Sequence, residues 1–387
     1  MAVERAYLDH NASAPLLEAA RAAVVAALET AANPSSVHSE GRAARRLVED
    51  ARRDVAALVN AKAAHVVFTS GATEAASTLL TPDWRMGRGP LRMGRLYVCE
   101  ADHPCLLSGG RFAPERVTRI GVDGEGLLRL DQLEAALAGH DGADGLPLVA
   151  VHAANNETGV IQPLERIAGI VRAAGGVLVL DAVQTAGRIP LDMSVPCADY
   201  LILSSHKIGG PKGAGAIVAA SDLMMPAPLI AGGGQEKGHR AGTENLPAIA
   251  GFGAAARAAL AGLAGMEAVR ARRDEIEGIV LSLVPDAEIF GRGALRLANT
   301  SFFAIPGLKA ETAQIAFDLA GVALSAGSAC SSGKVGPSHV LKAMGRGEGL
   351  GALRVSIGAA TGAKEIDLFR AALAGIAARR TGREEAA

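Results

Sequence analysis

With 387 residues, of which 49% are hydrophobic, the chain is long enough to bury a large core and is expected to be globular. Its 39 basic and 40 acidic residues leave a formal charge of −1, which argues against a nucleic-acid or anionic-membrane partner and in favour of a small one. The first residues lack a basic segment followed by an apolar stretch, and no uninterrupted apolar run looks long enough to span a bilayer, so a cytoplasmic protein is expected. The cysteines, Cys99, Cys105, Cys197 and Cys330, form neither CxxC pairs nor a zinc-like cluster. Reduced thiols and no metal site are expected.

In chain order, five short apolar runs each end in a polar or glycine-containing cluster. His65-Val-Val-Phe leads into Thr69-Ser-Gly-Ala-Thr-Glu74, Leu96-Tyr-Val-Cys99 into Glu100-Ala-Asp-His-Pro104, and Leu146-Pro-Leu-Val-Ala-Val151 into His152-Ala-Ala-Asn-Asn-Glu157. Val177-Leu-Val-Leu180 leads into Asp181-Ala-Val-Gln184, and Tyr200-Leu-Ile-Leu203 into Ser204-Ser-His-Lys207. Alanine-rich helical stretches separate the runs, the alternation of an α/β fold with a mostly parallel sheet. Ligands of such sheets sit beyond the carboxyl ends of the strands, so the five clusters are expected to converge on one crevice. After Pro247 come a helical stretch over 248–264, a charged helix over 267–277 and new strands over 295–303, read as a second domain. The final residues from Arg379 read as a frayed polar tail.

Several clusters suit particular chemistry. Gly71, Ala72 and Thr73 lie between a strand and a helix, where free amides and the helix dipole favour a phosphate, although such a turn is also ordinary punctuation. Asp181 follows an apolar strand and could face a protonated ring nitrogen, or could simply cap a helix. Lys207, flanked by hydroxyls and His206 and followed by glycines, is placed to form a Schiff base near a phosphate; Lys212 is its rival in the glycine-rich turn. Cys330 sits in Ser325-Ala-Gly-Ser-Ala-Cys-Ser-Ser-Gly-Lys-Val-Gly-Pro337, a composition that offers little to bury a thiol and is expected to be mobile. Cys99 and Cys197 read as core residues. Cys105, beside His103, reads either as an activated thiol or as part of a helix start.

These motifs, together with Tyr7-Leu-Asp-His-Asn-Ala12, Asn33-Pro-Ser-Ser-Val-His38, Asn155-Asn-Glu-Thr-Gly159, Gly238-His-Arg-Ala-Gly-Thr-Glu-Asn245 and Leu353-Arg-Val-Ser-Ile-Gly358, stand in the order found in one family. The chain resembles the cysteine desulfurases of the NifS/IscS type, within the aminotransferase class V family. The resemblance implies the fold type I of pyridoxal-phosphate (PLP) enzymes, similar to aspartate aminotransferase. It implies a large cofactor-binding domain over 15–250 and a smaller α+β domain formed by 1–14 and 251–387. By the same resemblance Lys207 carries the cofactor, His103 stacks on its ring and moves protons, Asn156 and Gln184 bond the ring oxygen, and Asp181 holds the ring nitrogen. Ala72, Thr73, Ser204 and His206 would bind the phosphate, with Ser205 adjoining, while Thr243 would reach the phosphate of a partner subunit in a homodimer. Arg354 would clamp the substrate carboxylate, unless it closes a structural ion pair.

The implied reaction removes sulfur from L-cysteine, giving L-alanine and a Cys330 persulfide that passes to an acceptor protein, such as an iron–sulfur scaffold or a thiolation partner. A selenocysteine lyase and a non-catalytic scaffold for sulfur-transfer partners are the competing readings. Two segments depart from the family pattern, Ala75-Ala-Ser77 and Asn11-Ala-Ser-Ala14.

Overall fold

The computed structural model describes residues 4–30, 32–326, 338–347 and 351–384. After a short strand β1 (Ala6–Tyr7), the chain forms helices α1 (Glu18–Leu28) and α2 (Ser39–Leu58). Ala44, Val48, Ala51 and Val55 recur at helical spacing on the buried face of α2, and the His38 side chain caps its first turn by accepting the Gly41 N–H. Strand β2 (Val66–Thr69) then feeds α3 (Ala72–Leu79), followed by β3 (Asp83–Met86) and β4 (Gly89–Cys99). A short helix α4 (Pro104–Leu107) and strand β5 (Val117–Ile120) precede α5 (Leu130–Ala138), β6 (Leu146–His152), α6 (Leu164–Ala173) and β7 (Val177–Asp181). Strands β8 (Tyr200–Ser204), β9 (Gly215–Ala219) and β10 (Met224–Pro226) complete one sheet, in the order β10-β3-β4-β6-β7-β8-β9-β2, with β5 beside β4.

Strands β4, β6, β7 and β8 run parallel, and β2, reached through the antiparallel β9, points the same way. The five expected strands are therefore present, and their carboxyl ends lie along one edge. β7 and β8 are buried at every position, and almost every residue of β6 is, which is why these segments read as unbroken Val/Leu/Ile runs instead of alternating ones.

The chain continues through α7 (Leu246–Gly262) and α8 (Met266–Leu283) to the strands β11 (Glu288–Ile289) and β12 (Thr300–Ala304). Helix α9 (Ala310–Leu319), strands β13 (Val322–Ala323) and β14 (Ser325–Ala326), helix α10 (His339–Ala343), strand β15 (Ala352–Ser356) and helix α11 (Ala363–Glu384) follow. β11-β12-β15-β14 form an antiparallel sheet, and β1 pairs with β13, bringing the N-terminus to this second region.

The buried apolar residues form a core that continues past residue 250. Leu246, Phe252 and Ala256 of α7 join the first core, and α7 lies against α1 and α2 so closely that a Cβ on Gly253 would stand 2.6 Å from Ala51 Cα. A second core begins at Val269 of α8 and includes Ala6, Leu8, Phe317 and Phe369. The first core also takes in Phe290, Phe302, Val340, Leu341 and Met344, so the two cores interleave along the chain after α7. Contrary to the expectation from sequence, the continuous helical stretch Leu246–Leu283 is long and apolar enough to cross a membrane by length and composition; half of its most apolar window is buried in the protein. The expected frayed tail is helical as far as Glu384.

Candidate active site

The strand ends enclose a cavity of about 580 Å³. Its wall includes Ala72, Thr73, His103, Asn156, Asp181, Gln184, Ser204, His206 and Lys207, so nine of the residues singled out from sequence meet in one place. Lys212 lines it as well.

At one end, the first-turn amides of α3 have no intrahelical partner. A Cβ built on Gly71 would meet nothing within 4 Å, so the turn opens onto free space. Glu74 folds back to accept the Ser70 N–H at 2.8 Å and is held by Arg240 at 3.0 Å, which fixes the turn without filling it. Ser204 and His206 stand on the same wall, and burial holds the His206 imidazole down at about 4. Amides, a hydroxyl and an uncharged imidazole in a small open turn suit a phosphate group.

At another part of the wall, Asp181 is buried, and among the described residues its one hydrogen bond is from the Val183 N–H, at 3.0 Å. Burial raises its carboxyl to about 6, so the group gains from a cation placed beside it. The Lys207 amine donates to the carbonyls of Asn11 at 2.6 Å and Ala12 at 2.9 Å. His103 caps α4: its Nδ1 accepts the Cys105 N–H at 3.2 Å, which puts the ring proton on Nε2. Burial, then Lys207 and His339, lower this imidazole to about 4, so it is neutral near pH 7.

Other expected residues lie elsewhere. Ser205 is wholly buried and off the cavity, its Oγ 2.1 Å from where a Gly210 side chain would begin, because the short helical turn at 205–207 rotates it behind Ser204. Thr243 lines a separate cleft with Glu236 and Arg240 that borders the cavity at Ser70 and Gly213. Arg354 sits behind the cavity wall, 1% exposed; it donates to Asp9 Oδ1 at 2.7 Å, Asn156 O at 3.0 Å and Ser325 Oγ at 3.1 Å, while its Nε has no partner among the described residues. It thus closes an ion pair and retains one donor. Cys330 lies outside the described residues. Cys105 is part of α4 and also of the cavity wall, and burial, then Asp181 and Asp102, push its thiol well up, against an activated thiolate. Burial raises the Cys99 and Cys197 thiols as well.

Three groups were not anticipated. Asn11 is a buried hub: its Nδ2 donates to Thr300 Oγ1 at 2.9 Å and Asn156 O at 3.2 Å, its Oδ1 accepts from Asn299 at 3.0 Å, and its carbonyl also accepts Gln184 Nε2 at 3.1 Å. Arg188 is buried with no carboxylate partner among the described residues, donating to the Gln184 carbonyl at 2.8 Å and to Gln184 Oε1. Glu157 is buried and accepts from Ser338 Oγ at 2.5 Å; burial raises it to about 7. Glu157 lies inside a motif already singled out, but nothing local in sequence separates a buried arginine such as Arg188 from a surface one.

The aminotransferase class-V family model matches residues 6–369. A cysteine desulfurase of Cereibacter sphaeroides is 40% identical over 373 residues, which cover 94% of each chain. Among solved structures, a NifS-like protein from Rickettsia africae superposes with a TM-score of 0.86 at 30% identity, over 96% of this chain and 99% of that one. SspA, solved in complex with cysteine, superposes with a TM-score of 0.74 at 28% identity, over 91% of this chain and 98% of that one.

Proposed function

We propose that this chain, which belongs to the aminotransferase class-V family, is a cysteine desulfurase that uses PLP to move sulfur from L-cysteine onto its own Cys330. The observation that carries the reading is the convergence of Lys207, Asp181 and the open turn before α3 on one cavity. These groups match the three demands of the cofactor: an amine for its aldehyde, an anion for its ring nitrogen and amides for its phosphate.

When bound, PLP supplies an aldehyde that takes up the amino group of an amino acid and a ring that accepts electrons from its Cα. Ala72, Thr73, Ser204 and His206 would hold its phosphate, Asp181 its ring nitrogen, Asn156 and Gln184 its ring oxygen, and His103 its face. Lys207 would carry the cofactor and, as a free amine, move the Cα proton; Asn11 O and Ala12 O hold that amine in the structure. His103 presents Nε2–H as a proton donor. Arg354 would reach the substrate carboxylate only by turning out from behind Asn156; its Nε has no partner among the described residues.

The overall step balances. The Cys330 thiolate attacks the sulfur of L-cysteine, an S–S bond forms as the Cβ–S bond breaks, and Cβ takes a proton to give L-alanine and a Cys330 persulfide. Support for Cys330 comes from the described residues on either side: Ser325 is bonded to Arg354 and Asp9, and Ser338 and His339 to Glu157 and Asp102 O, residues next in sequence to the cavity-lining Asn156 and His103 in the last two cases. The reading extends to a sulfurtransferase homodimer that hands its sulfur to an acceptor protein for iron–sulfur assembly or thiolation, and to the cytoplasm as its compartment. The exposed Leu16, Leu17, Val25 and Leu28 in and beside α1 support a subunit contact.

The test is alanine formation from L-cysteine after reconstitution with PLP. Wild type turns over, Lys207→Ala loses both alanine and the bound-cofactor absorbance, and Cys330→Ala keeps the absorbance but loses alanine. Undiminished alanine from Cys330→Ala would refute the persulfide step. Turnover confined to selenocysteine would favour a selenocysteine lyase.

A further inference from the structure

Asp102, His152 and Gln162 form a buried hydrogen-bonded line along the cavity wall, and the reaction above uses none of them. Cys99, Asp102 and His152 offer metal-ligand atoms within 4.8 Å of one another, but the carboxylate and imidazole are already engaged. Asp102 Oδ2 accepts the Cys99 N–H at 2.7 Å, and Oδ1 accepts the His152 N–H at 2.8 Å and faces His152 Nδ1 at 2.6 Å. Gln162 Oε1 accepts the Leu128 N–H at 2.9 Å, and its Nε2 donates to Gly126 O at 2.9 Å. Those two backbone partners fix which end of the amide is which. The second hydrogen on Gln162 Nε2 therefore points at His152 Nε2, 2.9 Å away, which has to be a lone pair. The ring proton is left on Nδ1, donated to Asp102.

The line ends at catalytic positions. Asp102 immediately precedes His103, its carbonyl faces His339 Nε2 at 2.9 Å, and Ala101 O accepts from Asn155 at 2.9 Å. His152 pairs in register with Asp181 on the neighbouring strand and lines the cavity. We propose that His152 is a positioning residue: held as the Nδ1–H tautomer between Asp102 and Gln162, it fixes the turn that carries His103 and sets an uncharged ring beside Asp181. The inference deepens the PLP reading and rests on it for its effect on the cofactor, whereas the tautomer belongs to the chain alone.

Two measurements test it. In the 15N-labelled full chain stripped of cofactor, the His152 signals, assigned by their loss in His152→Asn, should show Nδ1 protonated and Nε2 not at pH 7.5. In PLP titrations of the stripped chain, His152→Leu, which leaves Asp102 without its side-chain donor, should bind about tenfold more weakly. His152→Asn, whose amide can donate to Asp102 from the place of Nδ1, should stay within about twofold of wild type. A proton on Nε2, or an Asn variant as impaired as the Leu variant, overturns the proposal. If the Leu variant does not fold, the tautomer and the Asn variant still decide. Failure of wild type to bind PLP would instead overturn the cofactor reading and leave the tautomer result standing.

Discussion

The two walls of the crevice are built on opposite terms. Among the described residues the strand-end wall carries groups with hydrogen-bonding capacity left over: the α3 amides, Asp181 with one bond to Val183, and His103 with no partner on Nε2. Opposite, the wall is the N-terminal Ala12 and Ser13, and behind them Asn11, Asn299, Thr300, Ser356, Asp9 and Ser325 mostly bond to one another. Chemistry belongs to the first wall, and holding the two cores in register belongs to the second. Lys207 joins them, since its amine rests on the backbone of Asn11 and Ala12.

Variants on each wall should separate along that line. The largest effect is expected for His103→Ala, with kcat down by about 10²–10⁴ and thermal stability little changed, because it removes a proton donor from the open wall. Steady-state kinetics beside a melting curve checks this, and a large loss of stability would erase the distinction. Next, Asn11→Ala should destabilise the chain by about 2–4 kcal/mol in urea unfolding, since Thr300, Asn299 and the Asn156 carbonyl all lose a buried partner.

Glu157 gives the smallest effect and one with a sign. Burial raises its carboxyl from 4.5 to about 7, so the folded chain binds this proton more tightly than the unfolded chain. Its contribution to stability therefore falls as pH rises from 4.5 to about 7 and levels off above. Glu157→Gln cannot ionise and should lack that fall, gaining up to roughly 3 kcal/mol on wild type between pH 4 and 8. Parallel pH profiles for the two proteins would contradict the assignment.

The open wall was the legible one. Val66–Thr69, Val177–Asp181 and Tyr200–Ser204 announce themselves as buried strands by composition, and the polar residues following such strands have one edge to occupy. Short-range chemistry was harder: Ser204 and Ser205 look alike in sequence, and only the turn at 205–207 decides which faces the cavity. The closed wall was hidden because its bonds join distant residues. Asn11 meets Asn299 and Thr300 across 288 and 289 positions, and no local pattern signals that pairing. For the same reason the packing of α7 is not legible locally: it is an alanine-rich helix whose partner surface, on α1 and α2, lies about 200 residues earlier in the chain.

The central claim is that the crevice delivers sulfur from L-cysteine to Cys330. It is tested most directly by brief incubation of the PLP-loaded enzyme with L-cysteine, alkylation, and mass analysis of the peptide that contains residue 330. One additional sulfur atom on Cys330 in wild type, absent in Lys207→Ala, is the predicted result. An unmodified Cys330 in an enzyme that is forming alanine would contradict it.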